Sequence, residues 1–243
     1  MSGHSKWAQI KRSKGVADFR RGQLFTKLGR EITVAARQGG GDINANFRLR
    51  LAVQRGRDSN MPSDTIERAI KRGSGAGDGA ELQEITYEGY GPGGTAIMVD
   101  VLTDNRNRSA AELRAAFTRA GGNLGESGSV AWLFELRGVI TVDASGEDSE
   151  NVELAAIDAG ADDVRSEDGV VEIITAPNAL ELVRRALSEQ KIAIASAETS
   201  MIPSTTVELD AKEGTQTLRL LERLEDLEDV QRVYSNADFP DEV

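Results

Sequence analysis

The chain has 243 residues, no cysteine, a single histidine and a formal net charge of −11. Those numbers exclude disulfides, thiolate chemistry and a metal site built from several histidines, while the length is enough for two or three separate cores. No apolar run approaches the ~20 residues that a membrane-spanning helix needs, and Met1–Trp7 lacks the apolar stretch of an export signal, so a cytoplasmic location with no membrane contact is expected.

The charge is unevenly spread. Residues 1–73 carry 16 Lys and Arg against 6 Asp and Glu, a net +10, and the other 170 carry 13 against 34, a net −21. A basic head on an acidic body points to a polyanionic partner for the head, with the body repelled from extended phosphate. The competing reading is that head and body neutralise each other within one molecule.

In chain order, Met1 to Asp18 reads as a basic arm. From Phe19 to Arg37, the residues Leu24, Leu28, Ile32 and Ala35 recur at helical spacing, and the glycines from Gly39 to Gly41 break the helix. Asn46 is placed to cap a second helix carrying Leu49, Leu51 and Val53, which ends near Asn60 ahead of Pro62. A third, short helix carries Ile66, Ala69 and Ile70 and runs out at Gly73. Ser74 to Gly79 is a glycine-rich linker.

The stretch Tyr87 to Phe134 reads as strand, glycine turn, strand, helix, glycine loop, strand, with Tyr87–Gly94 as the turn and Thr95–Leu102 as the second strand. Ser109 and Glu112 have capping-box spacing, which predicts a helix from Ala110 to Gly121–Gly122. Arg106, Asn107 and Arg108 then form a loop beside a helix N-terminus, where an anion is favoured. From Val139 the order is β-α-β-β-α-β, a ferredoxin-like unit with Pro177 in the first turn of its second helix. After Pro203 come a strand, a helix with Leu218, Leu221 and Leu224 on one side, and a last strand to Tyr234. That tail is too short for its own core and is expected to return to the sheet begun at Ile85.

The predicted fold class is therefore α+β with three domains: an N-terminal helical domain followed by two α/β sandwich (ferredoxin-like) domains, one inserted in the other. The boundaries are 1–79 for the basic helical domain with its arm and linker, 80–136 plus 203–243 for a discontinuous α/β domain, and 137–202 for the inserted β-α-β-β-α-β domain.

The glycine turn Gly89-Tyr90-Gly91-Pro92-Gly93-Gly94 does not make a phosphate loop, because a strand follows it where a helix start is required. Catalysis has little to draw on. His4 lies in the arm, and Glu88, Asp100 and Asp104 are carboxylates of the kind that usually cap helices or face solvent. No catalytic residue, metal ligand or cofactor site is assigned.

The candidates for nucleic-acid contact are Lys6, Trp7, Lys11, Arg12, Lys14, Arg20, Arg21, Lys27 and Arg30, cations interleaved with aromatic residues as phosphate contact and base stacking require. Tyr87, Tyr90, Arg106, Asn107 and Arg108 are set apart as candidate functional loops. Arg106 and Arg108 are expected to face solvent. The two loops are expected to be separated by a strand of about eight residues, or ~26 Å.

The runs GHSKWAQIKRSKG, FTKLGREITVAAR, GGGDINANFRLRLAV, NMPSDTIERAIKRG, YEGYGPGG, LTDNRNR and GGNLGESGSVAWLF resemble the YebC family, in order and with family spacing over residues 3–136. One departure is Gly29, where the family usually has a larger residue. The resemblance implies three domains and a regulator of gene expression that is not an enzyme. Bacterial members are commonly labelled DNA-binding transcriptional regulators. A mitochondrial relative activates translation of cytochrome c oxidase, and bacterial members have been linked to ribosomes. Carried onto this chain, the family's residues are Lys6, Trp7, Lys11, Lys14, Arg20 and Arg21.

The expected function is a nucleic-acid-binding regulator, monomeric, whose partner is DNA or ribosomal RNA, with the ribosome as a further partner. The alternatives are a ribosome-associated translation factor and an acidic protein-binding adaptor.

Overall fold

In the computed structural model, residues 18–75, 82–144, 149–167 and 169–240 are described, with side chains from residue 22 onward. The chain divides into two compact units, one made of the residues up to Leu133 together with those from Pro203, the other of Phe134–Ile202.

The first unit begins with three helices, α1 (Asp18–Gly39), α2 (Phe47–Asp58) and α3 (Ser63–Ser74). Their apolar stripes meet in one core of Leu28, Ile32, Ala35, Leu49, Val53, Met61, Ile66 and Ala69. Asn46 caps α2 by accepting from the Leu49 N–H, and its side-chain amide donates to the carbonyls of Ala35 and Gly40, so one buried residue stitches two helices. Gly73 lets α3 approach α1 closely, since a Cβ there would sit 2.2 Å from the Thr33 carbonyl oxygen.

A four-stranded sheet follows in the order β3-β1-β2-β9, with β1 (Gln83–Tyr90), β2 (Ala96–Thr103), β3 (Asn123–Leu124) and β9 (Val230–Ser235). β1 and β2 form an antiparallel hairpin in which Tyr87 lies opposite Val99 and Glu88 opposite Met98. The turn between them is tighter than the sequence implied. Tyr87 to Tyr90 belong to the strand, and only Pro92–Gly94 turn, in one 3₁₀ turn closed by a Gly91 N–H to Thr95 carbonyl bond, with Gly93 at φ +67°.

One face of this sheet is covered by α4 (Arg106–Arg119) and α7 (Ala211–Glu225). Ile97, Val99 and Val101 of β2 and Val230 and Val233 of β9 pack there against Leu113 and Phe117 of α4 and Leu220, Leu221 and Leu224 of α7. Short strands β8 (Val207–Glu208) and β10 (Ala237–Asp238) pair in parallel beside it.

The second unit is a four-stranded sheet in the order β5-β6-β4-β7, from β4 (Phe134–Asp143), β5 (Asp163–Glu167), β6 (Val170–Thr175) and β7 (Ile194–Pro203). Helices α5 (Ser149–Asp158) and α6 (Leu180–Glu189) complete the β-α-β-β-α-β order, and this strand order is the ferredoxin-like one. Pro177 precedes α6 without entering it, because the helix begins only at Leu180 after a turn.

Candidate nucleic-acid interface and the Asp229 network

Five of the nucleic-acid candidates, Lys6, Trp7, Lys11, Arg12 and Lys14, lie outside the described residues, as does His4. Arg20 and Arg21 fall in the first turn of α1.

Lys27 and Arg30 turn toward the acidic C-terminal segment instead of open solvent. The Lys27 ammonium donates to the Glu225 carbonyl, and Arg30 reaches the Glu228 carboxylate at 2.5 Å and Asp229 at 3.2 Å. On the same flank Glu31 accepts from Arg55 at 2.8 Å and from Arg232 of β9 at 3.3 Å, while Arg48 pairs with Glu84 of β1. The helical domain is thus tied by charge to the face of the first sheet that α4 and α7 leave uncovered. The competing sequence reading, mutual neutralisation, describes this flank.

Among the described side chains, the unpaired cations of the helical domain lie outside the set of sequence candidates. Arg37, Arg57, Lys71 and Arg72 are exposed and make no hydrogen bond or ion pair with another described residue. Close packing of the C-terminal halves of α1 and α3 around Gly73 brings Arg37, Lys71 and Arg72 to one end of the helical domain. Sequence reasoning passed over them because basic residues in a last helical turn are expected for the helix dipole alone.

The segment Arg106–Arg108 is a correction. The helix starts at Arg106, not Ala110, because Asn105 is the N-cap and accepts from the Arg108 N–H at 3.1 Å. Ser109, expected to cap, is buried one turn inside, where its hydroxyl donates to Asp229 at 2.8 Å. Arg108 does not simply face solvent either. It is exposed like Arg106 and Asn107, but its guanidinium forks between Asp104 at 3.0 Å and Asp229 at 2.7 Å.

Asp229 therefore receives Thr103, Arg108, Ser109 and Arg30, from β2, α4 and α1. Its burial alone would raise the carboxyl pKa. The hydrogen bonds from Arg108, Ser109 and Thr103, with the Arg108 charge, outweigh that and hold it below the ordinary aspartate value.

The two candidate loops are closer than the strand length implied. Tyr87 sits in mid-strand and its hydroxyl donates to the Arg106 carbonyl at 3.2 Å. Tyr90 points to the opposite face and donates to the Ser129 carbonyl at 2.9 Å.

Beside it, Glu88 is buried, and its carboxylate accepts the backbone N–H groups of Gly128, Val130 and Ala131 at 2.6, 2.7 and 2.8 Å. Burial pushes this carboxyl up, but the three N–H bonds prevail and lower it. The loop is fixed around that charge and carries Trp132, which is 74% exposed. Glu88 therefore organises a loop, and among the described residues no group of three or more His, Asp or Glu is arranged to hold a metal.

Residues 82–237 match the family described as the second and third domain of TACO1/YebC, and residues 5–76 match the TACO1/YebC N-terminal domain. The chain belongs to the TACO1/YebC family. It is 54% identical over its full length to a probable transcriptional regulatory protein of Dehalococcoides mccartyi strain CBDB1, covering 97% of that protein. A probable transcriptional regulatory protein of Moorella thermoacetica is 56% identical over 99% of this chain and 96% of its own. The crystal structure of the conserved hypothetical protein Aq1575 from Aquifex aeolicus superposes with a TM-score of 0.86 at 44% identity, over 93% of each chain. The TACO1/YebC architecture, an N-terminal domain followed by a two-domain core of mixed helix and sheet, is thus the architecture of this chain. No helix among the described residues is long and apolar enough to cross a membrane.

Proposed function

We propose that this protein is a non-enzymatic regulator of gene expression that grips nucleic-acid phosphate with its basic N-terminal segment, residues 1–79, and acts as a cytoplasmic monomer. The observation that carries this reading is the charge partition, net +10 on residues 1–73 against −21 on the rest. Ion pairs and a hydrogen bond to the body engage Arg30, Arg48 and Lys27 but leave Arg37, Arg57, Lys71 and Arg72 exposed. Under this reading the arm (Lys6, Trp7, Lys11, Arg12, Lys14), Arg20 and Arg21 make the contacts, joined by that exposed set. Lys27 and Arg30 orient the head on the body. The discontinuous domain (80–136 plus 203–243) and the inserted one (137–202) position it.

Relatives named as probable transcriptional regulatory proteins favour DNA as the ligand. The acidic body favours a second reading, a translation factor on ribosomal RNA or tRNA. A net −21 repels a long duplex, whereas folded RNA presents dense phosphate to one end of the molecule.

Fractionation of a cell lysate on a density gradient separates these. Co-migration abolished by DNase supports the transcriptional reading, and co-migration with ribosomes abolished by RNase supports the translational one. Association that survives both nucleases and high salt contradicts nucleic-acid binding and leaves a protein-binding adaptor.

A further inference from the structure

The body's acidity is interrupted on the helix layer of the first sheet. Helix α7 buries Gly214, Thr217, Leu218, Leu220, Leu221 and Leu224. At 3.6 residues per turn, Lys212, Gln216, Arg219 and Arg223 fall within about 60° of one another on the opposite side, pointing away from the sheet. All four are exposed, and the three cations make no hydrogen bond or ion pair with another described residue.

A helix face that serves solubility alone alternates its signs, with acids placed four residues from bases. Here the i,i+4 neighbour of Lys212 is Gln216 and that of Arg219 is Arg223. A like-charge pair at that spacing disfavours the isolated helix and favours an anion laid across it.

The adjoining helix α4 continues the pattern. Residues Arg106–Arg119 hold four arginines and one acid, Glu112, in a body where acids outnumber bases 34 to 13. Its Arg114 and Arg119 are likewise exposed and unpaired among the described residues. The stripe on α7 ends two residues before Glu225, whose carbonyl accepts from Lys27 of the head.

We propose that the solvent face of α7, flanked by α4, is a second contact surface for a nucleic-acid phosphate backbone. It rests on the nucleic-acid reading above and adds to it a body surface distinct from the arm. Guanidinium and ammonium groups one and two helical turns apart suit successive phosphates of one strand, and the absence of an aromatic side chain among them predicts backbone contact without base readout.

The test uses the full chain and two fluorescent probes, a single-stranded RNA of about 20 nucleotides and a duplex DNA of about 20 base pairs. Affinity is measured from about 50 to about 200 mM KCl. The variant Lys212→Gln/Arg219→Gln/Arg223→Gln is expected to keep the wild-type thermal midpoint, since the three side chains are exposed and make no hydrogen bond or ion pair with another described residue. It should lower the slope of log K against log salt by roughly 2–3. The wild type would then lose roughly fifteenfold to sixtyfold more affinity across that range than the variant does. Arg219→Lys/Arg223→Lys, which keeps the charge, should retain the wild-type slope.

A triple variant with wild-type slope on both probes overturns this surface while the head's role stands, because the wild type still binds. Loss of binding in the charge-keeping variant also overturns it. A wild type that binds neither probe at about 50 mM salt removes the nucleic-acid reading itself, and this inference with it.

Discussion

Arg108 donates to Asp229 across 2.7 Å, joining the first turn of α4 to the residue just before β9, 121 positions later in the chain. The same carboxylate receives Arg30 of the helical domain at 3.2 Å. One buried aspartate therefore fixes the start of α4, the register of the C-terminal strand and the seat of the head. Satisfying it with two guanidinium groups and two hydroxyls is what makes a buried charge tolerable.

Replacing Asp229 with Asn is expected to lower stability at neutral pH by about 1–3 kcal/mol, as leaving buried donors without a charged acceptor does. The pH dependence has a definite sign. The folded pKa lies below the unfolded one, so the contribution is complete above the ordinary value of about 3.9 and is lost as pH falls through the lower folded value. Urea midpoints measured from about pH 7 down to about pH 3 should fall less steeply in the variant than in the wild type. Parallel curves would mean that Asp229 is not a depressed carboxylate.

Arg106 and Arg108, two residues apart, should separate. Arg108→Ala removes the Asp229 partner and should lower the thermal midpoint, while Arg106→Ala, whose side chain is exposed and unpaired among the described residues, should leave it unchanged. Calorimetry of the two single variants decides this, and equal midpoints would contradict the network.

Glu88 makes a similar prediction for a loop. In Glu88→Gln the amide NH₂ confronts backbone N–H groups that the carboxylate accepted, at a cost of about 1–3 kcal/mol. Proteolysis between Gly125 and Leu133 should accelerate and the Trp132 emission should shift. Unchanged cleavage would show that the loop is held by other contacts.

Gly29 lies inside α1 with ordinary room for a side chain, since a Cβ there would meet only the Met61 methyl at 3.7 Å. Gly29→Ala should raise stability by about 0.5–1 kcal/mol, through helix propensity and a less flexible unfolded chain. A lower denaturant midpoint would indicate crowding against Met61.

Local patterns in the sequence carried much of the architecture. The stripe Leu28–Ile32–Ala35 announces α1, Asn46 announces the cap of α2, and the alternation of periods after Val139 announces the ferredoxin-like unit. Each is decided within a few residues of itself. The start of α4 is not decided locally, because Asn105 and Ser109 are both capping residues and the choice between them depends on Asp229, more than a hundred positions away.

Long-range charge was less legible. Lys27 and Arg30 read as phosphate ligands because nothing nearby in sequence neutralises them, and their acceptors lie some 198 positions downstream. Glu88 in a strand read as a surface acid, since backbone N–H groups of a distant glycine loop leave no compositional trace. The glycines near Tyr87 suggest a turn, although register places it opposite Val99 and within reach of Arg106. The cationic stripe of α7 was available from helical spacing alone, but it is diluted by Glu213, Glu222 and Glu225 until the buried face is known.

The most direct test of the central claim is a salt titration of the full chain on single-stranded RNA and duplex DNA, beside Lys11→Ala/Arg12→Ala/Lys14→Ala. The wild type is expected to bind at about 50 mM salt, with log K falling linearly against log salt. The variant should bind more weakly, with a slope shallower by about 0.7–0.9 per lost phosphate contact. A wild type and a variant with the same slope, or no binding to either nucleic acid, would contradict it.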